Sequence, residues 1–289
     1  MQVIKNDPVF IIAAPRSGTK LLRDALSTSP ALSAIPYDIN YVWLYGNFSV
    51  GHDELDAKHV NQKSRQFIKS YIDLWRQPGT RVLEKTVSNS LRVEFVRTIF
   101  PTAKYIHLTR DGRDVVPSIY DCWTKSVAST RNQPTTTLVK KMMQFPIGRC
   151  WPYLTNSLKE KISHTLGGRK LPAIWGPRIK DIEGLLGQQS LEEVCARQWL
   201  SCINNSLDGL KNLKVNQDLI HVNYETLVTE PRAELHRISD FIGVNPKPII
   251  RQSKTIVKQQ SGWETKMSRD KRKSCLAIMK PGLQQLGYI

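Results

Sequence analysis

The chain has 289 residues, of which 40% are hydrophobic and 23% charged, with a formal net charge of +17. That is the make-up of a globular protein with a sizeable core, not of a disordered chain. No apolar run approaches the roughly eighteen residues a membrane-spanning helix needs, and the excess of cations points to anionic partners: nucleotide, nucleic acid, acidic glycan or membrane surface.

The N-terminal stretch MQVIKNDPVFIIAAP lacks the basic segment and long apolar segment of a signal peptide. The five cysteines (Cys122, Cys150, Cys195, Cys202 and Cys275) are odd in number, scattered and without a CxxC pair. They read as buried or free thiols in a reducing compartment.

In chain order, residues 8–14 (PVFIIAA) are short, apolar and β-branched, which predicts a buried strand. A turn leads into TKLLRDALST, whose leucines have helical spacing. Residues 58–76 predict an amphipathic helix stopped by QPG at 77–79. RVLEK, 81–85, is a short strand, and NSLRVEFVRTIF is a helix ending before Pro101. AKYIHLT, 103–109, is a second buried strand, in which His107 reads as a core histidine. DGRDVVPSIYDCW turns into a helix. DLIHVNYETL is a strand running into a loop, and PRAELHRISDFIGV is a helix that starts at proline and ends near Gly243.

This alternation predicts an α/β fold with a mostly parallel sheet and helices on both faces. Residues 124–190 break the rhythm. They hold eleven Lys/Arg against three acids and read as a basic, largely helical insertion in a single domain spanning 1–289.

Two anion sites stand out. A strand, a tight turn and a helix N-terminus present unpaired amides and a helix dipole to a ligand, so Arg16, Ser17, Gly18, Thr19, Lys20 and Leu21 are expected to wrap a phosphate. The ATPase signature GxxxxGK[ST] is absent, and the hydroxyl that would hold Mg²⁺ is out of place. The second site is YIHLTRDGRDVVPSIYD. Arg110 leaves a predicted strand at the edge where open α/β sheets bind ligands, and Ser118 lies in the first turns of the next helix. A charged fork and a directed hydroxyl suit one phosphate, although Arg110 pairing with Asp111 or Asp114 is the plainer structural alternative. Together the two sites fit a ligand with two separated anionic groups.

These residues resemble the sulfotransferases that use 3′-phosphoadenylyl sulfate (PAPS). PRSGT resembles the 5′-phosphosulfate motif, in the form found in tyrosylprotein and related bacterial sulfotransferases. RDGRDVVPS is similar to the 3′-phosphate motif, and VNYETLVTEPRAELHRISDFIGV and SGWETKMS resemble the family's later segments. The resemblance spans both ends of the chain but not 124–190. It implies a P-loop-NTPase-like three-layer fold, PAPS as co-substrate, adenosine 3′,5′-bisphosphate as product, and no metal requirement. The leaving phosphate would be neutralised by arginines and lysines instead.

The resemblance also assigns roles. Arg16 and Lys20 would stabilise the leaving group, although the family usually has Thr or Arg where Lys20 stands. Lys85, in LEKT, matches a lysine near the transferred sulfuryl group. A hydroxyl acceptor needs a general base, and Asp38 is the nearest carboxylate, one position later than the tyrosylprotein pattern; His52, Asp53 and Glu54 are the reserve. Tyr224 is expected near the nucleotide, and Trp263 and Lys266 in a loop, SKTIVKQQSGWETKMS at 253–268, that closes over it. The 124–190 insertion would form an acceptor-side lid, its charge suited to an acidic glycan, a sulfated product or a membrane lipid headgroup, or it would cover a small hydroxylated molecule; the acceptor itself would be a hydroxyl of a glycan, lipid, small molecule or peptide. Membrane contact has no anchor pointing to it, and the missing leader points to a cytoplasmic, bacterial enzyme. Two alternatives stay open: a nucleotide kinase or NTPase on a related fold, which the missing GK[ST] disfavours, and a non-enzymatic polyanion or nucleic-acid binder, for which no specific motif is present.

Overall fold

The computed structural model describes residues 7–126, 174–258 and 261–289. β1 (Val9–Ile12) is fully buried and leads through a loop into α1 (Thr19–Leu26). Three residues then form β2 (Leu32–Ala34), followed by the short α2 (Asn40–Trp43). α3 (Gln62–Asp73) begins later than residue 58 because Asn61 caps it: the Asn61 side chain accepts from Ser64 N–H and the Ser64 hydroxyl answers the Asn61 N–H, a reciprocal pair that fixes a helix start. β3 (Arg81–Glu84), a 3-10 turn at Val87–Leu91 and α4 (Val93–Ile99) come next. The expected helix over 89–100 is thus a turn followed by a shorter helix. β4 (Lys104–Thr109) runs into α5 (Gly112–Ser126).

Of the expected insertion 124–190, residues 127–173 lie outside the described residues. Its remainder carries α6 (Ile182–Gln188). α7 (Leu191–Leu210) follows, opened by a Ser190–Glu193 capping box, and then β5 (Leu219–Asn223). The segment after β5 is not a loop but a short helix, α8 (Tyr224–Thr229), capped by the Asn223 side chain. α9 (Pro231–Ile242) starts at proline and ends on Gly243 at φ 80°, as read from sequence. α10 (Pro246–Ile250), α11 (Trp263–Lys266) and α12 (Arg269–Gln285) complete the described chain.

The sheet order is β2-β3-β1-β4-β5, and every pairing is parallel. A parallel sheet is covered on both faces, so its strands read as apolar runs rather than alternations. Phe10 and Ile12 face one cluster with Trp43, Phe67 and Tyr105. Val9, Ile11 and Ala13 face the other with Leu22, Leu26 and Leu235. A third cluster joins α5, α7 and α12 through Val115, Ile119, Trp199 and Met279. Each large side chain so buried contributes about 1.5–3 kcal/mol, which holds the sheet rigidly beneath its loops.

His107 is a core histidine. It is fully buried, its Nε2 lies 3.0 Å from Ser206 Oγ and its Nδ1 3.2 Å from His221 Nδ1. Burial pushes its pKa down to about 3, so it is neutral. Cys122, Cys195, Cys202 and Cys275 are free thiols, and burial pushes Cys202 up to about 12. Among the described residues no helix is long and apolar enough to cross a membrane.

The chain winds outward from β1 to β2, returns through β3, then crosses β1 to reach β4 and β5. The crevice outside the C-terminal ends of the strands, where the winding reverses, is the ligand position of such sheets. All five strands end there, and each delivers a candidate residue within a few positions: β1 Arg16, β2 Asp38, β3 Lys85, β4 Arg110 and β5 Tyr224.

Candidate active site

The loop after β1 is built to expose amides. Arg16 takes φ 66° and Gly18 φ 91°. The left-handed backbone at a non-glycine residue costs about 1 kcal/mol or more. α1 opens with neither a side-chain cap nor an acidic residue in its first turn. Its first backbone bond runs from Leu22 N–H to Gly18 O, 3.0 Å, so the amides before it need partners from outside the helix. Ser17 is 1% exposed, and its Oγ has no hydrogen-bond partner among the described residues.

Gly18 is required by contact as well as by φ. A Cβ there would stand 2.6 and 2.8 Å from the Tyr224 ring. Gly18→Ala is therefore expected to lower stability by about 2 kcal/mol, roughly 5 °C in melting temperature. Thermal melts followed by circular dichroism check this, and an unchanged midpoint contradicts it.

Arg110 is the hub. Its guanidinium lies 4.1 Å from the centroid of the Tyr224 ring, its Nη1 donates to Arg16 O at 3.2 Å, and its Nη2 lies 3.6 Å from Asp114. The sequence alternative of an Asp114 partner is thus part of the answer, while Asp111 instead pairs with Arg113 at 2.6 Å. Arg110 is 6% exposed, and its Nε has no hydrogen-bond partner among the described residues. Leaving buried donors unmet costs free energy, so Arg110 Nε and Ser17 Oγ fit a further anion that the described residues do not supply. Arg16 Nε donates to Ser118 Oγ, 2.8 Å, which brings the two predicted anion motifs into direct contact.

Two cavities meet at Arg16 and Arg110. The larger, about 690 Å³, is bordered by the β1 loop, including Gly18, Thr19, Lys20 and Leu21, and by Asp38, Lys85 and Tyr224. The smaller, about 240 Å³, adds Ser118, Asp114, Asp121 and Lys266. Lys266 Nζ is held by Asp121 at 2.5 Å. Lys20 sits on the rim, 79% exposed and paired with Asp24 at 2.7 Å. Trp263 borders neither cavity; it packs against the third apolar cluster.

Asp38 and Lys85 form an ion pair, Nζ to Oδ1 at 2.5 Å, and Val87 N–H lies 3.4 Å from Asp38 Oδ2. Arg23 reaches from α1 to hold the approach to Asp38, donating to Pro36 O at 2.6 Å. The reserve residues lie elsewhere. Asp53 is 2% exposed; it accepts from Arg178 N–H at 2.8 Å and from Asn40 Nδ2 at 2.9 Å. Glu54 accepts from Lys180 N–H at 2.8 Å, and His52 Nδ1 from Glu54 N–H at 3.2 Å. Asp53 and Glu54 thereby hold Arg178 and Lys180, and none of the three borders either cavity.

Sequence reasoning did not single out Trp175, Gln252, Thr255 or Ile256, which also border the larger cavity. Thr255 and Ile256 fall in the segment read as a closing loop. Trp175 carried no signal of its own, because it is reached from a segment without periodicity.

The strand order and the loop after β1 define a P-loop-like α/β fold. Within that class it is the fold of sulfotransferases. Residues 8–146 match the family model described as "Sulfotransferase family". No curated protein matches the sequence. Among solved structures, the chain is similar to the sulfotransferase domain of the Synechococcus PCC 7002 olefin synthase, at 17% identity and TM-score 0.51, covering 97% of each chain. It is similar to a sulfotransferase from Alicyclobacillus acidocaldarius at 14% identity and TM-score 0.52, covering 99% of this chain and 96% of that one. A sulfotransferase from Mycobacterium avium aligns at 12% identity and TM-score 0.54, covering 98% and 77%. At such identities the likeness is one of fold. The family match and the fold agree in kind, both being those of sulfotransferases, and together they support a transferase.

Proposed function

We propose that the chain, acting as a single domain, transfers a sulfuryl group from 3′-phosphoadenylyl sulfate to a hydroxyl acceptor. The observation that carries this reading is the contact of the two anion motifs: Arg16 and Arg110 border both cavities, so one ligand with phosphates at two positions fits across them. The β1 loop amides, Arg16 and Lys20 take the 5′-phosphosulfate. Arg110, Ser118 and Lys266 take the 3′-phosphate, for which Lys266 leaves Asp121. Tyr224 supports the loop from behind and braces Arg110.

Sulfuryl transfer resembles phosphoryl transfer in its in-line geometry and loose transition state, so positioning and charge stabilisation carry most of the catalysis. The acceptor oxygen bonds to sulfur as the sulfur–oxygen bond to the 5′-phosphate breaks. Asp38 takes the acceptor proton, Lys85 balances charge on the transferring group, and the bisphosphate leaves neutralised by Arg16 and the loop amides. Protein cations and amides meet this charge, so no residue of the site is reserved for a metal. Trp175, borders the cavity beside Asp38 and Lys85, which supports an acceptor side reached from the 124–190 segment.

The test is to incubate the protein with PAPS carrying radiolabelled sulfate and a panel of phenols, glycans, hydroxylated lipids and tyrosine peptides. Transfer of label to one class, dependent on the protein, is the expected result. No transfer to any class, together with ATP hydrolysis in the presence of Mg²⁺, overturns the reading in favour of an NTPase.

A further inference from the structure

Glu84 ends β3 and is fully buried. It sits on the face of the sheet that carries Phe10 and Trp43, opposite Phe10 in the β1–β3 register. A carboxylate in such surroundings is costly, and an apolar side chain would pack there at less cost. Its partners indicate what it does. Oε1 accepts from Trp43 Nε1 at 3.3 Å and from Thr86 Oγ1 at 2.5 Å, and Oε2 accepts from Asn89 Nδ2 at 3.0 Å. The Thr86 hydroxyl in turn accepts from Ile39 N–H at 2.9 Å.

Those partners belong to two chain segments. Ile39 and Trp43 follow Asp38, whereas Thr86 and Asn89 follow Lys85. The same carboxylate therefore fastens both segments from beneath the sheet edge, and Asp38 and Lys85 stand above it at 2.5 Å from one another.

We propose that Glu84 is a positioning residue which, through the Thr86 hydroxyl, sets Asp38 against Lys85. The proposal rests on the reading of that pair as part of the reacting site, but its geometry is independent of which donor binds. Burial pushes the Glu84 carboxyl up to about 7, with the charge of Asp38 adding to the rise and Thr86, Trp43 and Lys85 opposing it. In its anionic form Glu84 accepts all three hydrogen bonds; a proton on it competes with the Thr86 donor.

The test uses the full chain. Lysines are acetylated with limiting acetic anhydride, and the rate at each is read by mass spectrometry. In Thr86→Val and Glu84→Gln, Lys85 is expected to react at least about fivefold faster than in the wild type, the factor that one lost hydrogen bond supplies. Lys20, paired with Asp24 outside this network, should keep its rate, and Thr86→Ser should restore that of Lys85. Because Thr86→Val keeps the side-chain shape, it carries the test if Glu84→Gln does not fold. An unchanged Lys85 rate in folded Thr86→Val overturns the proposal, as does a uniform rise at every lysine. Calorimetry with adenosine 3′,5′-bisphosphate is read separately. If the wild type does not bind it, the sulfotransferase reading falls, while selectively faster Lys85 acetylation still supports Glu84 as the anchor.

Discussion

Arg110→Ala is expected to weaken adenosine 3′,5′-bisphosphate by about 10²- to 10³-fold, in line with the cost of removing one partner from a buried charged contact. The size of the effect follows from what the guanidinium does in one place. It lies against the Tyr224 ring, holds the carbonyl of Arg16 and borders both cavities. On the proposed reading, removing it takes away a phosphate partner, loosens the strained turn at Arg16 and leaves Asp114 facing the anion without a counter-charge. Arg110→Lys should fall between the wild type and alanine, since it keeps the charge but cannot present a planar fork. Calorimetric titration of the folded variants measures both. Wild-type affinity in Arg110→Ala contradicts the assignment.

Asp38→Asn is expected to lower kcat by about 10²- to 10⁴-fold, the range for loss of a general base, while bisphosphate affinity stays within about twofold. Asparagine keeps the shape and the hydrogen-bonding oxygen near Val87 N–H, so the change is chemical, not steric. The ion pair with Lys85 makes the separation from binding sharp, because both groups border the larger cavity and not the smaller one that Ser118 and Lys266 line. Steady-state kinetics with labelled donor reads the two parameters apart. Turnover that survives the substitution moves the base elsewhere.

The sheet was legible at β1 and β4, where burial wrote a largely apolar run, and at β3 and β5 from the short apolar stretches Val82–Leu83 and Leu219–Ile220 with Val222. β2 was not, because Leu32–Ala34 is too short for any period to show. α7 did carry a signal, in the Ser190–Glu193 capping box and the apolar residues Val194, Cys195, Trp199, Cys202 and Ile203. That signal lay beyond the basic stretch that had broken the rhythm of strands and helices. The two loops that meet through Arg16 and Ser118 were legible as candidate anion sites because the chemistry they suggest is local: a few consecutive residues after a strand suffice. Glu84 was not, since a carboxylate at a strand end looks exposed until Trp43 and Asn89 are folded over it. Trp263 had been read as a cover for the nucleotide, but sequence gives no direction for an indole, and here it packs on the third cluster.

The central claim is that one nucleotide with phosphates at both the 5′ and 3′ positions spans Arg16 and Arg110. Titration calorimetry of the wild-type chain in metal-free buffer tests it most directly, with adenosine 3′,5′-bisphosphate, adenosine 5′-monophosphate and, in a separate run, ATP with Mg²⁺. The account predicts one bisphosphate per chain, bound at least about a hundredfold tighter than the monophosphate, the worth of one charge-assisted phosphate contact in a partly buried site. Equal affinity for the two adenosine phosphates, or tighter binding of ATP with Mg²⁺, would contradict it.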